Sequence, residues 1–152
     1  MIYFVYQRIV KECDHHMVKL IMGLKGSGKT KALVDLVKKA TQEEHGDVVC
    51  IERDKSLTYD IPYTARLIYA SEYGINSTDL LRGFVSGLHA GNYDITHVFI
   101  DSIHKMMDDT SDASVAAFLA WLDAFSARES VDFTLSLTGD PDTASETIKK
   151  YF

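Results

Sequence analysis

One stretch limits what this chain can fold into more than any other: Gly23-Leu24-Lys25-Gly26-Ser27-Gly28-Lys29-Thr30. Its glycines permit sharp reversals that turn successive backbone N–H groups toward one point. An apolar run, Val18 to Met22, precedes it. After it, Ala32, Leu33, Leu36, Val37 and Ala40 recur at helical spacing, with Lys38, Lys39, Glu43 and Glu44 outside that stripe. A strand, a glycine-rich turn and a helix in that order aim the positive end of the helix at the turn, and that end favours an anion. The G-x-x-x-x-G-K-[ST] spacing adds a mobile charge at Lys29 for outer phosphates and a hydroxyl at Thr30 for Mg²⁺. The expected phosphate-binding set is Gly23, Leu24, Lys25, Gly26, Ser27, Gly28, Lys29 and Thr30, with Lys31 one residue on.

The rest of the chain alternates strand and helix. Val48 to Ile51 is an apolar run flanked by charges, as a buried strand requires. Asp54 to Arg66 is polar, contains Pro62 and reads as a loop suited to a lid or a partner surface. Leu67 to Ala70 predicts a short strand. A helix capped by Ser77 or Thr78 carries Leu80, Leu81, Phe84, Val85 and Leu88 and ends at Gly91. Val98 to Ile100 predicts a strand stopping at Asp101, Asp112 to Ala127 a helix, Phe133 to Leu137 a strand, and Thr143 to Tyr151 a terminal helix. The alternation predicts an α/β domain of three layers, α/β/α, around a mostly parallel five-stranded sheet.

With 152 residues the chain has room for one domain. Residues 17–152 carry the pattern, and 1–16 read as an N-terminal extension, with Met17 as an alternative start. Cys13, His15 and His16 in that extension have no second cluster at zinc-type spacing, so a surface segment is the better account. A net charge of −6 argues against general nucleic-acid binding. The two cysteines, Cys13 and Cys50, make no disulfide framework and point to a reducing, cytoplasmic compartment. No apolar run approaches the ~20 residues of a membrane span.

Gly23 to Thr30 as a Walker A sequence and Val98-Phe99-Ile100-Asp101 as a Walker B sequence together resemble the P-loop NTPase superfamily, most closely its RecA-like and thymidine-kinase-like branch. The resemblance covers Met17 to about Asp140. It implies ATP as ligand or substrate, Mg²⁺ held by Thr30 and Asp101, and Lys29 as a catalytic charge on the outer phosphates. No N-K-x-D sequence marks a guanine site, so ATP is favoured over GTP.

The chain departs from the pattern after Asp101, where many relatives in that superfamily place a glutamate and this sequence has Ser102. Serine cannot act as a carboxylate base, and three accounts stay open. Glu52, at the end of the Val48–Ile51 strand, polarises the attacking water, against the plain alternative of a solvated strand end. Or hydrolysis is slow or absent and the protein is a nucleotide-dependent switch, alone or with a protein partner. Or it is a nucleoside-kinase-like phosphotransferase with another base, although no Cys-x-x-Cys pair of the thymidine-kinase type is present. Thr138, Ser136, Asp54 and His104 are further polar candidates near a nucleotide, and Arg53, Arg66, Arg82 and Arg128 are candidate arginine fingers. Trp121 reads as core. The expected activity is a Mg-dependent nucleoside-triphosphatase coupled to a partner or a conformational change.

Overall fold

The computed structural model describes residues 17–55 and 60–152; Cys13, His15, His16 and the middle of the Asp54–Arg66 loop lie outside them. Five strands form one sheet, all of its pairings parallel: β1 (Val18–Gly23), β2 (Asp47–Glu52), β3 (Ala65–Tyr69), β4 (Ile95–Ile100) and β5 (Asp132–Thr138). The spatial order is β1-β5-β4-β2-β3. The strand formed last in sequence therefore lies between the strand that feeds the glycine loop and the strand that ends before Asp101.

Alternation along each strand sorts side chains between two faces. One face takes Val48, Cys50 and Phe99, which pack with Leu33, Val34, Val37 and Ala40 of helix α1 (Lys29–Glu43). The other takes Leu20, Val49, Ile51, Val98, Ile100, Phe133 and Leu135. These meet Leu81 and Val85 of α2 (Thr78–Gly91) and Val115, Phe118, Leu119, Leu122 and Phe125 of α3 (Asp112–Glu129). One helix on one face and two on the other make a three-layer α/β/α fold. Trp121 stacks between Phe118 and Phe125, at 6.4 and 5.5 Å between centroids, and packs against this core.

Helix ends follow local chemistry. Ser77 Oγ accepts from Leu80 N–H and Ser111 Oγ from Ser114 N–H, capping α2 and α3. Several boundaries differ from the sequence expectation: β4 starts at Ile95 rather than Val98 and α3 runs on to Glu129, and two further differences have a tertiary cause. β3 begins at Ala65, so Arg66 belongs to a strand; register opposite Val49 and burial of Ala65 override the polar character of the preceding loop. The expected helix Thr143–Tyr151 is a 3-10 turn, Pro141–Thr143, followed by a short α4 (Glu146–Lys149), because the chain is pinned back on the sheet when Leu20 N–H donates to the Tyr151 carbonyl. No helix among the described residues is long and apolar enough to cross a membrane.

Phe118 is fully buried against the sheet. Phe118→Ala should cost about 3–5 kcal/mol in urea denaturation, whereas Tyr63→Ala, at 99 % exposure, should stay within about 0.5 kcal/mol of the parent.

Candidate functional site

The loop between β1 and α1 is built by two left-handed glycines, Gly26 at φ +82° and Gly28 at φ +88°, values that side chains other than glycine adopt at a cost. Gly23 is favoured for a different reason: a Cβ there would stand 2.4 Å from Ser27 Oγ and 3.2 Å from Ser27 Cβ, so Ser27 would have to rotate away. Ser27 N–H donates to the Leu24 carbonyl, closing the turn. Gly28 then caps α1 without a side chain to accept the first-turn N–H groups.

The first turn of α1 is also electrostatically inverted. α2 and α3 begin with a serine cap and an aspartate, Asp79 or Asp112, which suit a positive helix end. The first turn of α1 has no acidic residue and carries Lys29 and Lys31 instead. Two lysines beside the solvent-facing N–H groups of one helix end oppose the helix dipole by about 0.3–1 kcal/mol each, a cost that an anion there would offset. Lys29 Nζ lies back over the loop, donating to the Leu24 carbonyl at 2.8 Å, with Ser27 Oγ 3.5 Å away. An open groove of about 430 Å³ borders this loop and is closed opposite by Asp140, Pro141 and Asp142.

Because β4 runs parallel to β1, Asp101 reaches the same sheet edge as Thr30. Thr30 Oγ1 stands 3.4 and 3.5 Å from the two Asp101 carboxylate oxygens. Neighbouring oxygens around an octahedral Mg²⁺ sit roughly 3 Å apart, given metal–oxygen distances of 2.0–2.1 Å, so the pair offers oxygen donors at a spacing about half an ångström wider than that. Asp101 is buried and held. Ser136 Oγ donates to Asp101 Oδ1 at 2.6 Å and accepts the Ser102 N–H at 2.7 Å. Ser102 adopts a left-handed φ of 54°, a conformation uncommon outside glycine. Ser136 is thus a support for Asp101 rather than a group at the strand tip. The sequence had marked the residue without indicating this role.

Glu52 ends β2, one strand beyond Asp101, and is only 1 % exposed. The solvated strand end weighed from sequence is therefore excluded. Its charge is felt nearby: burial, then the Asp101 and Glu52 carboxylates, push the Cys50 thiol far above its ordinary value. Cys50 is a buried, inert thiol.

His104, in the short 3-10 turn Ile103–Lys105 after β4, also belongs to this edge. Burial, helped by the Lys105 and Lys29 charges and opposed by Asp101, holds its imidazole below the ordinary range. Its Nδ1 accepts from Thr138 N–H at 3.3 Å, which leaves the proton of the neutral ring on Nε2. Thr138 is exposed at the end of β5.

The arginine candidates separate. Arg53 follows Glu52 at the loop edge and lies 4.0 Å from Asp54, both exposed. Arg66 sits low on β3, Arg82 pairs with Asp79 and covers Trp121 on the far face, and Arg128 pairs with Glu129 and covers Phe125 at the end of α3. Leu24, Lys25 and Lys31 are exposed around the loop.

Ser136→Ala would strip a hydrogen bond from buried Asp101 and leave the Ser102 N–H without its acceptor. It should cost about 1–3 kcal/mol in chemical denaturation; unchanged stability would mean that the Ser102–Ser136–Asp101 chain contributes nothing. No family model matches this chain, and no curated protein matches it, so the chemistry of this edge has to be judged on its own residues.

Proposed function

We propose that this chain binds Mg-ATP, or another nucleoside triphosphate, at the Gly23–Thr30 edge and hydrolyses it in step with a partner or a conformational change. The observation that carries this is the start of α1: an uncapped helix end with Lys29 and Lys31 in its first turn, behind a doubly left-handed glycine loop, beside the Thr30–Asp101 oxygen pair. Such an end favours an anion, and oxygen donors such as these suit Mg²⁺.

When bound, Mg-ATP supplies the labile phosphoanhydride and the divalent charge that offsets its oxygens. The chain's own residues do the rest. Backbone N–H groups of Gly26 and of Gly28 to Thr30 bind phosphate oxygens, while the Ser27 N–H holds the turn closed. Lys29 gives up the Leu24 carbonyl to reach the outer phosphates. Thr30 and Asp101 hold the ion, and Ser136 keeps Asp101 turned toward it. Glu52 is the carboxylate at this edge able to take a proton from water in place of the missing residue after Asp101. A cytoplasmic location suits the reduced thiol of Cys50.

The test begins with thermal shifts for ATP, GTP and ADP, with and without Mg²⁺. A ligand at 100 times its Kd adds about 2.7 kcal/mol to stability. Lys29→Ala should lose most of the triphosphate shift while melting close to the parent without ligand, since the side chain is half-buried on the loop and outside both apolar clusters; an undiminished shift would overturn the phosphate-loop reading.

Phosphate release separates the chemical accounts. Glu52→Gln should keep the ATP-dependent shift and lower turnover by ~10²-fold or more. Turnover at the parent rate would reduce Glu52 to a packing residue. Binding without any turnover in the parent protein would favour a nucleotide switch or a phosphotransferase lacking its acceptor.

A further inference from the structure

We propose that Glu44, His97 and Asp132 form a binding site for a first-row divalent transition ion of the Zn²⁺ or Co²⁺ type, at the sheet edge opposite the phosphate loop. This site is independent of the nucleotide. α1 separates the two: it starts at Lys29 beside the glycine loop and ends just before Glu44, 15 residues on, roughly 22 Å away at 1.5 Å per residue.

Three separate elements supply the donors. Glu44 follows the last turn of α1, His97 lies on β4 and Asp132 opens β5. One ligand atom from each lies within 4.8 Å of the others. They line a pocket of about 220 Å³ whose walls include Met17, Leu36 and Ala40. Lys19 and Lys39 also border it, but both are exposed and free to extend into solvent.

The donors are oriented in advance, which separates this group from a chance surface cluster. The His97 ring stacks on Phe99 at 4.0 Å and 13°. Its Nε2 is 2.8 Å from Thr134 Oγ1 and its Nδ1 is 2.6 Å from Glu44 Oε1. Glu44 Oε2 accepts from the Thr96 hydroxyl, and Asp132 Oδ1 accepts from Met17 N–H at 2.9 Å. The bonds to Thr134, Thr96 and Met17 are outer contacts of the kind that fix ligand direction and ring tautomer in metal sites; the His97–Glu44 contact joins two of the ligands and opens when the ion takes Nδ1.

The chemistry of the set selects the ion. An imidazole with two carboxylates suits Zn²⁺, Co²⁺, Ni²⁺ or Fe²⁺, whereas Mg²⁺ and Ca²⁺ prefer oxygen alone. Three protein ligands leave a position for water, the pattern of open zinc sites. Ligands on a tetrahedral ion at about 2.0–2.1 Å stand roughly 3.3 Å apart. The Glu44–His97 contact of 2.6 Å would widen and the outer separation of up to 4.8 Å would close, changes of about 0.7 and 1.5 Å that side-chain rotation can supply.

The experiment titrates the full chain with Co²⁺ in the absence of nucleotide, reading the visible bands of low-coordinate cobalt, and repeats the titration with Zn²⁺ by calorimetry. One ion per chain is expected. His97→Gln and Asp132→Asn should each weaken binding about tenfold or more. Asp132→Asn keeps the His97–Glu44 contact and so remains informative if His97→Gln fails to fold. Lys29→Ala should bind Co²⁺ like the parent. A Cys13→Ser, His15→Gln, His16→Gln triple variant should also retain binding. No binding by the parent, parent-like binding by Asp132→Asn, or loss of binding in the triple variant would overturn the site.

Discussion

The position of β5 between β1 and β4 is the constraint on which the phosphate-loop edge depends. β5 comes last of the five strands yet pairs along its length with the first, Val18 opposite Phe133 through to Gly23 opposite Thr138. On its other side it pairs with β4, from His97 opposite Asp132 to Ile100 opposite Leu135. Until that strand is in place, the glycine loop and Asp101 belong to separate pieces of chain. Once it is, Ser136 bonds Asp101 and the backbone after it, and just past the end of β5 the Gly139 N–H donates to the Gly23 carbonyl at the start of the loop. Parallel pairing between segments so distant in sequence incurs loop-closure entropy before any contact repays it. The edge is therefore a product of the whole domain.

The face of the sheet under α1 is unusual in being polar at both ends and apolar in the middle. Val48, Cys50 and Phe99 form the apolar middle. Glu52, Asp101 and Ser136 lie at the loop end, all buried. His97 and Thr134 lie nearer the other end, joined to each other and to Glu44. Buried polar groups are tolerated when hydrogen-bonded and are otherwise costly. The pairings of Asp101 with Ser136 and of His97 with Glu44 and Thr134 show how that cost is limited here. α1 spans both ends, with its positive terminus over one and its last turn over the other.

Much of the fold was legible in the sequence because its signals are local. The apolar runs gave the five strands, the helical stripe from Ala32 to Ala40 gave α1, and Ser77 gave the start of α2. The glycine spacing and the following Lys29 and Thr30 marked the loop because a phosphate-binding turn uses consecutive residues. Asp101 was visible as the carboxylate ending an apolar strand. The start of β3 was misplaced because a polar edge strand is held by register against its neighbour, which a single-strand pattern does not contain.

What the sequence by itself determined is which segments are helix, strand and turn, and that one turn presents backbone N–H groups and a lysine to a common point. Tertiary structure decided which side chains from different elements meet. Glu52 is buried because β2 is flanked by β3 and β4, not because of anything in its own neighbourhood. Arg66, Arg82 and Arg128 fall away from the loop because their elements carry them elsewhere. Glu44, His97 and Asp132 have no spacing that would connect them, since they converge only through strand order and the length of α1. Periodicity and turn chemistry act over a few residues along the chain, whereas a site joining three elements depends on sheet order and register, which are set by packing the entire core.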